Sequence, residues 1–231
     1  MINQPITIRS KNPDNRSSIK YTGKENTPLF EMHPRGELFI EQLKLSSENQ
    51  QYAFACLKKN MSSLYNLSVL DSEISKFKYV LKAYKESFSD EILFKNTNIR
   101  DCQNGIELSE ETNDKGDYNV EFLTIDNCQF ENVKSNVIDY YRGGYDESTI
   151  GGNLKIQNSS FTKCGSKESN GILLNTRGII NVDISNNTFT NNQVKLVALL
   201  WGAKNNSHAG NKISNSGKIR VEENIKLKLI Y

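Results

Sequence analysis

"IDNCQF" (Ile125–Phe130), "IQNSSF" (Ile156–Phe161) and "ISNNTF" (Ile184–Phe189) decide the fold of this chain. Each reads apolar, polar, Asn, any residue, polar, apolar. "FKNTNI" (Phe94–Ile99) is a fourth copy, and "IEQLKL" (Ile40–Leu45), "VLDSEI" (Val69–Ile74) and "HAGNKI" (His208–Ile213) are weaker ones. Their closing apolar positions, 45, 74, 99, 130, 161, 189 and 213, fall 24 to 31 residues apart. A motif recurring at such a period marks a stacked-repeat architecture. A second β-prone run follows each copy ("YAFAC", "NGIEL", "NVIDYY", "NGILL", "KLVALLW"), and a third leads into it ("NVEFLTI", "GGNLKI", "GIINVDI"). Apolar residues alternate within each run, as strands require. Three short strands per turn predict an all-β protein, a right-handed parallel β-helix of about seven coils. Levels stacked about 4.8 Å apart make a rod of roughly 34 Å.

The aligned asparagines Asn96, Asn127, Asn158 and Asn186 fit a bend between two strands. Asn tolerates the left-handed backbone such a bend needs, and stacked amides can bond as a ladder along the rod. Asp71, Gln42 and Gly210 occupy the same column with less suitable side chains. Phe130, Phe161 and Phe189 should stack inside, continued by Ile99 and Ile213. Cys56, Cys102, Cys128 and Cys164 are too widely spaced for a zinc pattern and are expected as buried free thiols.

Over the 231 residues, 36% are apolar, less than a compact globule usually carries but enough for a thin solenoid core. The formal charge of +2 and the lack of a basic run argue against nucleic-acid and acidic-membrane partners. No apolar stretch is long enough to cross a bilayer as a helix. The expected organisation is one β-helix domain over 1–231, with a leading strand and first coil or cap in 1–35 and regular coils in 36–231. "MINQPITIRS" lacks the apolar centre of a signal peptide, so the reading is a cytoplasmic protein or a piece of a longer secreted chain.

Function must come from residues leaving the rod, because this fold serves many activities. The longest excursions are Ser109–Asn119, Arg142–Asn153 and Gly165–Asn170. Tyr140, Tyr141 and Tyr145 offer flat faces for a pyranose ring, and Arg142 a fork for a uronate carboxylate. Read structurally instead, Tyr140 packs, Asp139 bonds a backbone amide, and Arg142 pairs with Asp146 or Glu147. Arg177 reads as an exposed turn arginine or as a companion of Arg142. Trp201 reads as a core or end-capping residue, alternatively as a sugar platform. His208 falls in an inward column and is expected as a core histidine. Glu110, Glu111, Asp114 and Asp117 follow no calcium-loop spacing, so no metal site is assigned.

"NVIDYYRGGYDESTIGGNLKIQNSSFTKCG", "SNGILLNTRGIINVDISNNTFTNN" and "LLWGAKNNSHAGNKISNSGKI" resemble the C-terminal β-helix of two-domain enzymes in polysaccharide lyase family six, which holds alginate lyases and chondroitinase B. The resemblance runs from about Leu93 onward, and "PITIRSKNPDNRSSIKYTG" resembles the first strand of such a domain. It implies β-elimination on a uronate polymer, with calcium neutralising the carboxylate, a lysine taking the proton and an arginine assisting the leaving group. The family places these on its N-terminal β-helix, where a Lys-Ser pair precedes an Arg-His-Gly strand. Here Lys134-Ser135 occurs in "NVKSNV", but no Arg-His-Gly follows, so no catalytic residue carries over. The expected role is an accessory domain of a periplasmic or secreted alginate-lyase-like protein. Acidic polysaccharide and an N-terminal catalytic domain, or a second copy, would be its partners, and calcium would belong to the full-length protein. Two alternatives remain: a stand-alone lyase using Lys134, Arg142 and Arg177, or a pure carbohydrate-binding module.

Overall fold

The computed structural model describes residues 1–12, 14–57, 64–84, 87–108, 120–142, 152–166, 171–178, 180–201 and 205–222. Their 24 strands form three parallel sheets of eight, each strand pairing with its counterpart one turn away. The first sheet runs from β1 (Pro5–Arg9) through β4 (Glu37–Glu41), β7 (Tyr65–Leu70), β10 (Ser89–Lys95), β13 (Val120–Asp126), β16 (Gly152–Gln157) and β19 (Ile180–Ser185) to β22 (Asn205–Ser207). The chain is a right-handed parallel β-helix with no α-helix among the described residues. Seven of its eight levels carry a copy of the Asn-centred repeat. The remaining level, β1 with β2 (Ser17–Lys20) and β3 (Pro28–Glu31), precedes the first copy.

Each copy straddles one corner. Gln42, Asp71, Asn96, Asn127, Asn158, Asn186 and Gly210 all sit in the left-handed region, with φ between 49° and 71°. Asn127 donates its amide to Asn96 at 2.8 Å, and Asn96 to Asp71 at 2.9 Å. Asn158 turns aside to Asp126 at 3.0 Å. At Gly210 a Cβ would lie 2.2 Å from Asn186 Oδ1, so glycine there answers to crowding as well as to φ. A second left-handed column follows five residues later at Lys76, Asp101, Asn132, Lys163, Asn191 and Asn215, with φ from 44° to 57°. The strands of the second sheet between these corners, such as β14 (Gln129–Glu131) and β17 (Ser160–Thr162), are therefore three residues long.

The residue after a corner points inward, and where it is polar it closes hydrogen bonds that the bend leaves open. Asn187 Oδ1 accepts the Ser159 amide at 2.9 Å, while its Nδ2 donates to Ile156 O at 2.9 Å and Asn211 Oδ1 at 3.1 Å. Asn192 does the same at the second corner, accepting from Cys164 N and donating to Phe161 O. A buried amide ladder thus runs one residue beyond the column that the repeat motif picks out.

Inside, Phe130 stacks on Phe161 at 5.0 Å and Phe161 on Phe189 at 4.8 Å, with the rings within 10° of parallel. Ile99 and Ile213 continue this column in register. Ile213 is 40% exposed because it belongs to the final level, and His208 is exposed for the same reason. The expectation of a core histidine fails there: the position lies next after Ser207, the partner of Asp183, in the inward column of Ile184, but only an inner level has cover on both sides.

All four cysteines are free and buried. Burial pushes the Cys102 and Cys128 thiols up to about 12 and Cys164 to about 11. A folded pKa above the unfolded value near 9.0 means stability is fully present below pH 9 and falls as pH climbs from 9 toward 12. At pH 8 a thiol-specific chromogenic reagent is expected to react with none of the four until denaturant is added. Rapid reaction of the native protein would contradict this burial.

Candidate functional site

The outer face of the third sheet gathers most of the chemistry. Its strands include β6 (Tyr52–Cys56), β9 (Tyr79–Ala83), β12 (Asn104–Leu108), β15 (Ile138–Arg142), β18 (Ile172–Gly178), β21 (Leu196–Trp201) and β24 (Lys218–Glu222). Alternation sends every second residue outward, and parallel register lines these up along the rod. One column reads Lys82, Glu107, Asp139, Asn175, Leu199, Arg220. The next reads Tyr141, Arg177, Trp201, Glu222.

Two charged and aromatic clusters occupy this face. In the first, Lys82 Nζ lies 2.5 Å from Glu107 and 4.6 Å from the centre of the Tyr79 ring. Tyr79 meets Tyr52 edge to face at 5.3 Å. Burial alone would lower the Lys82 pKa, but the hydrogen bond and charge of Glu107 outweigh it and hold the ammonium above the ordinary lysine value. A lysine so held stays protonated and is a poor proton acceptor at neutral pH.

In the second cluster, Asp139 Oδ1 accepts from Arg177 Nη2 and Asn175 Nδ2, each at 3.1 Å. The Arg177 guanidinium lies 5.3 Å from the centre of the Tyr141 ring, within cation–π reach. With its side chain only 16% exposed, Arg177 is a strand residue held by Asp139 and Tyr141, not an exposed turn arginine. Trp201 stands beside it on the next level, 37% exposed, so it belongs to the outer face and not to the core. Tyr141 is largely buried at 9% exposure, and Tyr140 points into the core with its hydroxyl donating to Val120 O, so it offers no sugar face.

Three of the five contact residues expected from sequence, Tyr141, Arg177 and Trp201, are thereby neighbours in one row. Arg142 closes its strand opposite Gly178, and its side chain lies outside the described residues. Tyr145 lies outside them too, as do Asp146, Glu147, the acidic 109–119 stretch and most of the other two excursions. Lys134 is not part of the row. It is exposed at the corner before β15 and donates to Asn132 Oδ1 at 2.7 Å, whereas Arg177 lies near the far end of its strand. Sequence reading missed the pair formed by Lys82 and Glu107. Each stands eleven residues after its left-handed corner residue, Asp71 and Asn96, and that shared offset is the signal that could have joined them.

No family model matches this chain, and no curated protein matches it. Among solved structures it is similar to the PL6 family alginate lyase AlyGC, at 20% identity and a TM-score of 0.71, over 95% of this chain. A point mutant of the same enzyme gives 19% identity and a TM-score of 0.69. The likeness is one of fold. This chain spans about a third of those enzymes, 34% of their length. The β-helix that the Asn-centred repeat predicts is therefore one that an alginate lyase also uses.

Proposed function

We propose that this chain is an accessory β-helix domain of an alginate-lyase-like protein, secreted or periplasmic in its parent form, that contacts acidic polysaccharide through the outer face of its third sheet. The observation that carries the reading is the row Tyr141, Arg177, Trp201 on neighbouring levels of that face, in a fold similar to that of an alginate lyase. An exposed indole gives a sugar ring a flat apolar platform with a polar edge. The guanidinium alongside adds positive charge for a carboxylate, and its ties to Asp139 and Tyr141 fix it in place before any ligand arrives.

The non-catalytic part of the proposal rests on the lysines. Elimination needs a base near neutral pKa in a buried cationic site. Lys82 is held protonated by Glu107, and Lys134 sits exposed at a corner apart from Arg177. In this reading calcium belongs to the full-length parent protein and takes no part in the contact face. A catalytic N-terminal domain or a second copy remains the proposed partner, read out by co-elution on size exclusion.

The test is affinity electrophoresis in gels containing alginate. Trp201→Ala is expected to weaken retardation about tenfold in affinity, the value of one lost aromatic platform, with thermal stability unchanged. Equal migration of variant and parent would refute the contact face. Release of unsaturated product by the parent chain, followed by ultraviolet absorbance, would instead favour the stand-alone lyase.

A further inference from the structure

The opposite flank of the rod carries a second recessed surface, built from the second sheet at its N-terminal end. It spans β2, β5 (Leu43–Ser46), β8 (Glu73–Ser75) and β11 (Asn98–Arg100), with a volume of about 540 Å³. Ser46 and Ser75 pair in register and form a floor of small hydroxyls. Lys20, Lys44, Lys76 and Arg100 rise around it from four successive levels, against the carboxylates of Glu48 and Glu73.

These cations are not equivalent. Arg100 is committed, its Nε and Nη2 at 3.1 and 2.7 Å from Glu73 Oε1 and its Nη1 at 3.3 Å from Asp101. Lys20 pairs with Glu48 at 3.0 Å, but both side chains are about 60% exposed, and such a pair is worth little in water. Lys44 and Lys76 are exposed and have no carboxylate partner among the described residues. A left-handed backbone, φ 57°, places Lys76 at the corner. Beside them, the side-chain oxygen of Asn49 is buried without a donor. An orphaned acceptor next to two unneutralised ammonium groups asks for a ligand that brings both an anion and a hydroxyl.

We propose that this groove binds a segment of acidic glycan, with Lys44 and Lys76 on its carboxylates, and Asn49 Oδ1, Ser46 and Ser75 on its hydroxyls. The two lysines stand on adjacent levels, but Lys76 lies three positions beyond Glu73, the register partner of Lys44, roughly 10 Å across the sheet, so a chain crossing the groove obliquely meets both. The groove has no aromatic residue on which bases would stack and only a small excess of positive charge, which turns the choice away from nucleic acid. The proposal rests on the reading of this chain as one that contacts acidic polysaccharide, but on a different face. A polymer would then touch the rod on two flanks.

The experiment compares four proteins in gels containing alginate or, as a neutral control, dextran. They are the parent chain, Lys44→Gln/Lys76→Gln, a charge-matched control Lys155→Gln/Lys212→Gln on exposed sites elsewhere, and Trp201→Ala. The groove variant is expected to lose about fivefold in affinity for alginate, the control less than twofold, and dextran to retard none of them. If groove variant and parent migrate alike, or the control loses as much, the groove proposal falls. Weakening by Trp201→Ala in that case leaves the third-sheet reading standing. Weakening by the groove variant alone supports the groove and refutes the third-sheet contact, while a parent chain that alginate does not retard overturns both.

Discussion

Replacing Phe161 by Ala is expected to cost about 3–5 kcal/mol and to lower the thermal midpoint by roughly 10 °C. The ring is fully buried and stacked on both faces, at 5.0 Å from Phe130 and 4.8 Å from Phe189. Its removal forfeits the transfer energy of one benzyl group and two ring contacts, and leaves a cavity that strands hydrogen-bonded on both sides cannot collapse. Phe122, 45% exposed on the outer face of the first sheet, is the internal control. Phe122→Ala should stay within about 0.5 kcal/mol. Circular dichroism during heating reads both, and a Phe161→Ala midpoint close to that of the parent would contradict the stacked core.

Asn187→Ala should be nearly as damaging, at about 3 kcal/mol, although it removes only an amide. The side chain is fully buried, and its loss strands the Ser159 amide hydrogen and the Ile156 carbonyl in a site that water does not reach. Asn187→Ser is expected to recover part of the loss. Serine already serves in this column one level down, where Ser159 Oγ accepts the Cys128 amide at 3.0 Å. Urea unfolding of the three proteins separates the cases. A serine variant no better than the alanine one would mean that packing, and not hydrogen bonding, sets the cost.

The β-helix was legible because the first corner makes a single physical demand, which Asn meets at four of its seven positions. Asn recurs where φ is positive, and the flanking apolar positions repeat at a fixed offset, so the column could be read without knowing the fold. The second corner was not legible. It is filled by Lys, Asp and Asn in turn, and Lys76 and Lys163 carry no turn signature of their own. What places them is the length of the strand before, which is a property of the stack.

The face was harder to read than the fold. Tyr141, Arg177 and Trp201 were each picked out singly, but their common row depends on register across intervals of unequal length. Arg177 reads in sequence as a turn arginine or a companion of Arg142, yet it lies on a strand that continues through Gly178. His208 was assigned the correct side of the chain and still came out exposed, because burial in a rod depends on the level as well as on the direction of the side chain.

The five-residue step between the two left-handed columns has a consequence for how this chain can change in length. Both corners of the second sheet are fixed to one another, so an inserted residue there would reverse the inward and outward sides of everything after it until the next bend. The passage from third sheet to first carries no such constraint: Gly178 and Ile180 bracket its shortest interval, Leu108 and Val120 its longest. Length variation is thus concentrated on the two flanks of the third sheet, for the passage into it also changes, from three residues between Ser75 and Tyr79 to nine between Thr162 and Ile172. A lineage, or an engineer, can rewrite those flanks level by level, altering what the rod touches while the five-residue step stays as an unchanging ruler.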